Sequence, residues 1–248
     1  MFKIITMRYP KVLVSCPTAK AKDYCVDEFI EQIKTFTYPL YDIFILDNSP
    51  DKNHVKKFWN NGIKAIHEPF NGNFRTFSGR EELAKHQNII RNYFLNSDYD
   101  YLLMIESDVF TGESIIENLV SYADVYNAGA VTATYEIRKE EEEVLCLTST
   151  VDQLGVRSEK LLSRSIGYDV MGQGTLPLNH LLNDPEANIT ATGIGCTLFT
   201  RKVMESVGFR VDKKLSQTAY SDTYIFTDIK NAGFEILINS NLICTHKK

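Results

Sequence analysis

The chain of 248 residues is 44% hydrophobic and 24% charged, the balance of a globular protein with one large α/β domain or two small ones. Its formal net charge of -5 excludes a general attraction to nucleic acid or anionic membranes. The first residues lack signal-peptide features, no apolar run approaches the roughly 18 residues of a spanning helix, and the five cysteines are scattered, so we expect a cytoplasmic protein with reduced thiols.

Short apolar runs alternate with amphipathic helical patterns through the first half of the chain. Strands are predicted at residues 11–15, 41–47, 63–68, 102–105 and 129–137, with helices in the intervals between them. Ser78 and Glu81, before the fourth strand, are spaced as a helix capping box. The alternation indicates parallel pairing with right-handed crossovers, so we predict a Rossmann-like α/β fold with helices on both faces of a mostly parallel sheet.

The second half of the chain is less regular. Its polar segment of residues 155–174 carries glycines and basic residues and is predicted to form a mobile flap. Helical patterns begin at Lys202 and Ser221 and end at Gly208 and Gly233. No linker, repeat or clean boundary divides the sequence, so we predict a single domain over residues 1–248.

Polar side chains follow two of the predicted strands. The fourth strand ends on Glu106-Ser107-Asp108, and ligands of parallel α/β sheets bind beyond the carboxyl ends of the strands. Hard divalent cations prefer oxygen ligands, so the segment fits a metal site, whereas an acidic turn that caps the next helix fits it equally well. Asp47 ends the second strand at the same edge, where its side chain also fits an Asx-turn.

Four stretches of the sequence resemble motifs of one family in order and spacing. They are FILDNSPD, LLMIESD, GIGCTLFTRKVMESVGF and SDTYIFTDIKNAGFEI. Together they resemble the GT-A fold glycosyltransferases, especially the large inverting family that uses nucleotide-sugar donors, over nearly the whole chain. The resemblance implies a nucleotide-sugar-binding half at about residues 1–135 and a less regular acceptor-binding half at about residues 136–248.

The resemblance also implies a metal and donor site. Asp108 would bind Mn²⁺ or Mg²⁺ directly, Glu106 would lie nearer the ribose or a metal-bound water, and His246 would complete the metal shell, although a histidine in its position is otherwise commonly exposed. Asp47 would accept a hydrogen bond from the nucleobase, which favours uridine, and Arg80 would face the phosphates. The implied donor-binding positions are Ser15, Pro17, Thr18, Asp47, Arg80, Asn88, Glu106, Ser107 and Gly195.

Asp222 occupies the position of the acid that removes the proton from the acceptor hydroxyl in this family. A lone Asp before a helix is also a common N-cap, so both interpretations apply to Asp222. The sequence departs from the family pattern at four positions, one of which is Asn48, where a second Asp is usual. Gln87 stands in place of an expected Arg, Ser221 in place of the first acid of the motif, and Glu106 in place of an Asp.

These features predict a metal-dependent glycosyltransferase that moves a sugar from a nucleoside diphosphate, UDP being favoured, to a hydroxyl acceptor with inversion. The acceptor classes left open are a saccharide, a lipid-linked sugar, a protein and a modified nucleic-acid base. Alternatives are a retaining transferase, a catalytically inactive nucleotide-sugar-binding module and a nucleotidyltransferase. A nucleotidyltransferase requires a glycine-rich basic loop after the first strand to bind a triphosphate. The loop here, SCPTAKAKDY, has no glycine.

Overall fold

A computed structural model of the protein describes residues 9–138, 143–148, 150–151, 157–158, 175–177, 189–217 and 219–247. Apart from Arg157–Ser158, the predicted flap of residues 155–174 lies outside the described residues. The helices are α1 (Val26–Lys34), α2 (Asn53–Asn60), α3 (Phe77–Leu95), α4 (Ile115–Tyr126), α5 (Arg201–Ser206) and α6 (Ser221–Asn231). The strands are β1 (Val12–Thr18), β2 (Tyr41–Asp47), β3 (Lys64–His67), β4 (Tyr101–Ile105), β5 (Val109–Phe110), β6 (Ala130–Arg138), β7 (Glu143–Thr148), β8 (Thr150–Val151), β9 (Arg157–Ser158), β10 (Thr175–Pro177), β11 (Ile189–Thr192), β12 (Cys196–Thr200) and β13 (Ile236–His246). None of these helices is long and apolar enough to cross a membrane.

Eleven of these strands form a large mixed sheet in the order β10-β7-β6-β12-β4-β1-β2-β3, to which β5, β11 and β13 also pair, and β8 and β9 form a separate pair. The predicted first half is parallel, since β1 pairs with both β2 and β4 in that sense. The sequence patterns did not predict that β12, from the second half, inserts between β4 and β6 and runs antiparallel to both. The second half therefore supplies central strands of the same sheet.

Two apolar clusters cover the two faces of this sheet. The first packs α1, α2 and α4 against it, and the second packs α3, α5 and α6. Successive residues of β4 belong to opposite clusters, Leu103 and Ile105 to the first and Leu102 and Met104 to the second. A strand covered on both faces reads as a continuous apolar run, which explains the run that precedes Glu106.

The strand register brings the ends of the parallel strands to one edge. Thr18 lies beside Asp47, and Asp47 lies beside His67. On the other side of β1, β4 ends at Ile105, opposite Cys196 at the start of β12. Residues that follow β1, β2 and β4, or precede β12, therefore meet along this carboxyl edge.

The helix α3 begins differently from the prediction. Its N-cap is Thr76, whose Oγ1 accepts a hydrogen bond from Gly79 N at 3.2 Å, so the capping box at Ser78 and Glu81 was wrong. The first turn of α3 is pressed against the preceding loop: a Cβ on Gly79 would lie 2.1 Å from Asn73 O. Glycine is required here because of this close approach.

Candidate active site

The two predicted metal ligands, Asp108 and His246, meet the predicted donor-binding residue Glu106 at the carboxyl edge of the sheet. Glu106, Asp108 and His246 each offer one ligand atom, and these atoms all lie within 4.8 Å of one another. We call these three residues the carboxylate–histidine cluster. The antiparallel pairing of β13 with β5 sets His246 opposite Val109, which brings the histidine beside Asp108 across 138 residues of sequence.

Asp108 is the most buried member of the cluster, with a side chain 2% exposed. Its Oδ2 contacts Lys22 Nζ and accepts from His246 Nε2 at 3.1 Å and from Tyr24 Oη at 3.4 Å. Burial alone would raise the pKa of Asp108, but the hydrogen bonds and charges of His246 and Lys22 hold it at about 2. Among the described residues its Oδ1 is buried and has no hydrogen-bond partner, which suits a ligand atom for a cation.

The ionised form of Glu106 is less favourable than that of Asp108. Burial, followed by the negative charge of Asp108, raises the pKa of Glu106 to about 7, and Asp222 adds to the rise. A divalent cation would relieve this repulsion, and two carboxylates with an imidazole are a suitable donor set for Mn²⁺ or Mg²⁺. The alternative that Glu106-Ser107-Asp108 caps the next helix is wrong, since that helix, α4, has Ser114 at its N-cap.

A buried hydrogen-bond chain supports the turn that carries the cluster. Ser107 Oγ lies 2.9 Å from Thr18 Oγ1, which lies 3.2 Å from His54 Nε2. His54 Nδ1 in turn lies 2.6 Å from Asp23 Oδ1. This chain was missed in the sequence because His54 sits on a short polar helix with no family motif. The chain holds Ser107 in place, and thereby orients the carboxylates of Glu106 and Asp108 on either side of it.

A cavity of about 340 Å³ opens beside the cluster. Its lining residues are Cys16, Pro17, Lys22, Phe74, Leu83, Gln87, Met104, Ile105, Glu106, Ser107, Asp108, Ile194 and Tyr220. Larger cavities of about 710 and 720 Å³ lie near the opposite ends of the strands, around Asp100 and Tyr41. The smaller cavity is the candidate site because the clustered carboxylates line it. Of the predicted donor positions, Pro17, Glu106 and Ser107 line this cavity.

Asp222 is the second residue of α6, and the N-cap of that helix is Tyr220, which makes no side-chain capping bond. The N-cap interpretation of Asp222 is therefore wrong. Its Oδ1 accepts instead from Thr223 N at 2.7 Å. Burial raises the pKa of Asp222 to about 6, more than the Thr223 hydrogen bonds lower it. The carboxylate is thus ionised at neutral pH yet more basic than an ordinary Asp.

Two departures from the family pattern are direct partners in space. Ser221 Oγ donates a hydrogen bond to Gln87 Oε1, and both side chains are buried. The resemblance leads one to expect a cation and an anion at these positions. Here a neutral hydrogen bond joins α3 to the start of α6, next to Asp222.

Several predicted donor-binding side chains are engaged within the protein. Ser15 Oγ donates to Phe44 O inside the sheet. Asp47 is fully buried, and it accepts from Ser49 N at 3.0 Å, which is the predicted Asx-turn, and pairs with His67 Nδ1 at 2.8 Å.

The remaining three predicted positions connect neighbouring segments. Arg80 stacks 4.8 Å above the Tyr220 ring and donates to Gln217 O at 2.6 Å, next to the segment that starts α6. Asn88 donates to Phe209 O at 2.6 Å. Gly195 O accepts from Glu106 N at 2.9 Å, which ties the start of β12 to the cluster.

Comparison with known proteins gives matches of structure. No family model matches the sequence, and no curated protein matches it. A mannosyltransferase from Pyrobaculum calidifontis, solved with GDP-Man and Mn²⁺, is 14% identical and has a TM-score of 0.61 over 97% of this chain. TarS of S. aureus in complex with UDP is 12% identical, with a TM-score of 0.52 over 95% of this chain. A CMP:2-keto-3-deoxy-manno-octonic acid synthetase complexed with CTP is 11% identical, with a TM-score of 0.52 over 95% of this chain.

The chain spans 57% of the mannosyltransferase, 60% of the TarS chain and 90% of the synthetase. At such identities the matches concern architecture, and the mannosyltransferase and TarS are GT-A-type glycosyltransferases. The predicted α/β arrangement, a mostly parallel Rossmann-like sheet with helices on both faces, is confirmed. The chain therefore has the GT-A fold of these nucleotide-sugar glycosyltransferases.

Proposed function

We propose that the protein is a metal-dependent glycosyltransferase that moves a sugar from a nucleoside diphosphate to a hydroxyl acceptor with inversion. The observation that carries the proposal is the meeting of two kinds of group at one edge of the sheet. The carboxylate–histidine cluster lies beside a cavity, and Asp222 is close enough to raise the pKa of Glu106.

Glu106, Asp108 and His246 are the residues that would hold Mn²⁺ or Mg²⁺. When bound, such an ion supplies the positive charge that offsets the negative charge developing on a departing diphosphate. The buried Asp108 Oδ1, with no partner among the described residues, supports this assignment.

Asp222 acts as the general base in this proposal. Its carboxylate takes the proton of the acceptor hydroxyl while that oxygen forms a bond to the anomeric carbon, and the bond from this carbon to the phosphate oxygen breaks with its electron pair leaving on the diphosphate. Its pKa of about 6 keeps it ionised at neutral pH. Met104, Ile194 and Tyr220 give the cavity an apolar wall that limits access of water.

The donor is proposed to be a nucleoside diphosphate sugar. The structural neighbours were solved with GDP-Man, UDP and UDP-GlcNAc, and the sequence resemblance favours UDP. Pro17 and Ser107 line the cavity where the donor would lie, and Thr18 positions Ser107. The acceptor in this proposal is a hydroxyl compound.

A nucleotidyltransferase is the second candidate, favoured by the match to the CTP-bound synthetase, of which the chain spans 90%. Against it, the segment after β1 has no glycine to let a triphosphate approach the backbone. The two activities require different ligands, a diphosphate sugar and a nucleoside triphosphate, so binding measurements separate them.

The test is a thermal-shift screen of nucleoside diphosphates and triphosphates with and without Mn²⁺. A ligand at 100 times its Kd raises the free energy of unfolding by about 2.7 kcal/mol. We expect diphosphates to stabilise the wild type only with Mn²⁺, and Asp108→Asn to lose this effect. Asp98→Asn, whose side chain is 73% exposed, is the matched control. Stabilisation by triphosphates alone would favour the nucleotidyltransferase, and binding without sugar transfer would favour an inactive binding module.

A further inference from the structure

Lys22 makes a contact that the proposed reaction does not yet use. It is the last residue of a short 3-10 turn, Lys20–Lys22, in the segment between β1 and α1. Its Nζ forms an ion pair with Asp108 Oδ2, and its side chain lines the cavity beside the carboxylate–histidine cluster. The contact spans 86 residues of sequence, so no local pattern could have indicated it.

The turn that carries Lys22 is fixed at its backbone. Lys20 N donates to Ser49 Oγ at 2.7 Å, and Cys25 N donates to Lys22 O at 3.1 Å. The side chain of Lys22 is freer, being 37% exposed, whereas that of Asp108 is 2% exposed. The ammonium group is therefore the partner that is able to move when the pair is broken.

The ammonium group and a metal ion would compete for the same carboxylate. Asp108 Oδ2 contacts Lys22 Nζ and also lies 3.1 Å from His246 Nε2. A divalent ion held by Asp108 and His246 would lie close to the ammonium group, and two cations beside one buried carboxylate repel each other strongly. Lysine is a compact, hydrated point charge, which suits it to stand in for an ion beside a carboxylate.

We propose that Lys22 is the resident cation of Asp108 when no divalent ion is bound, and that a divalent ion binds Asp108 only by displacing the ammonium group from the carboxylate. This inference rests on the proposed function in its assignment of Glu106, Asp108 and His246 as metal ligands. The displaced ammonium group remains at the cavity wall, where it faces the diphosphate of the donor. Lys22 is thereby a further donor-binding residue, supplied by the segment after β1.

Only the open carboxylate binds the ion. The apparent metal affinity is therefore the intrinsic affinity multiplied by the fraction of molecules in which Lys22 does not hold Asp108. Lys22→Met keeps an unbranched side chain only one atom shorter and removes its charge. Lys22→Arg keeps the charge. Lys20→Met is the matched control, because Lys20 belongs to the same turn, is 58% exposed and pairs with Asp51 at 3.8 Å.

The experiment measures binding of Mn²⁺ alone, without nucleotide, from the electron paramagnetic resonance signal of the free ion. We expect Lys22→Met to bind Mn²⁺ about tenfold or more tightly than wild type, corresponding to an open fraction of about one tenth or less. Lys22→Arg and Lys20→Met should bind like wild type. Equal affinity of Lys22→Met and wild type, with both binding Mn²⁺, would overturn the inference about Lys22 and leave the metal site standing.

Two further outcomes separate this inference from the proposed function. Absence of Mn²⁺ binding to every variant overturns both the metal site and the role of Lys22. Tighter Mn²⁺ binding by Lys22→Met, together with a wild type that binds Mn²⁺ but no nucleotide, supports the role of Lys22 at the metal site and counts against the transferase. Thermal melts verify that each variant is folded, and Lys22→Gln carries the same test if Lys22→Met has no melting transition.

Discussion

Asp222→Asn separates catalysis from folding because it removes charge and proton affinity while keeping the shape of the side chain. In the folded protein the pKa of Asp222 is raised from 3.8 to about 6, chiefly by burial. A folded-state pKa above the unfolded value means that the folded state holds the proton more tightly. Ionised Asp222 therefore costs folding free energy above about pH 6, and this cost disappears as the pH falls toward 4.

The size of the effect follows from the shift. Two pKa units correspond to about 3 kcal/mol, and the partial exposure of the side chain reduces this to about 1–2 kcal/mol. Asp222→Asn should be more stable than wild type by that amount at pH 7.5 and equally stable near pH 4, in denaturant titrations without metal or nucleotide. Sugar transfer should fall by about 10²–10⁴-fold, the usual contribution of a positioned base.

Asp228→Asn is the control on the same helix, since Asp228 pairs with Arg210 at 2.7 Å on the surface. It should lose at most about 1 kcal/mol of stability and keep its transfer rate. Wild-type transfer by Asp222→Asn would refute the base assignment. A loss of stability at pH 7.5 would refute the argument from burial.

His246→Ala should weaken Mn²⁺ binding by at least about tenfold in the same resonance assay, since even outer partners of metal ligands contribute that much; unchanged affinity would remove His246 from the site. His54→Ala deletes the central member of the chain beneath Ser107 and should lower the free energy of unfolding by about 1–3 kcal/mol in denaturant titrations, and an unchanged midpoint would mean that the chain contributes no stability. Gly79→Ala should lose about 1–3 kcal/mol in the same titrations, because its Cβ would lie 2.1 Å from a backbone oxygen, while Gly112→Ala, with nothing within 4 Å, should be neutral. Equal stability of the two alanine variants would contradict the close approach at α3.

The parts of the fold that sequence could predict are those with local periodicity. The apolar run before Glu106 and the amphipathic pattern of α1 identify a strand and a helix without any tertiary information. The insertion of β12 beside β4 could not be predicted in this way, because a single apolar run carries no information about its neighbours or direction.

The same distinction between local pattern and distant contact applies to the site residues. Asp108 and His246 were predicted from strand ends and from the family resemblance, and the structure brings them to 3.1 Å. Lys22 and His54 were missed because each acts through a partner far away in sequence. The N-cap alternative for Asp222 failed by two residues, a difference that depends on where the chain leaves the extended conformation at Tyr220.

The neutral bond between Gln87 and Ser221 has a consequence for how this chain diverged from others of its fold. If an ancestor carried an arginine and an acid at these positions, either replacement alone would have left one buried charge without its partner. Such a change costs about 3–5 kcal/mol, a large part of the stability of an ordinary domain. We therefore expect the two positions to form an epistatic pair, so that homologues carry both charged residues or both neutral ones, with mixed combinations rare.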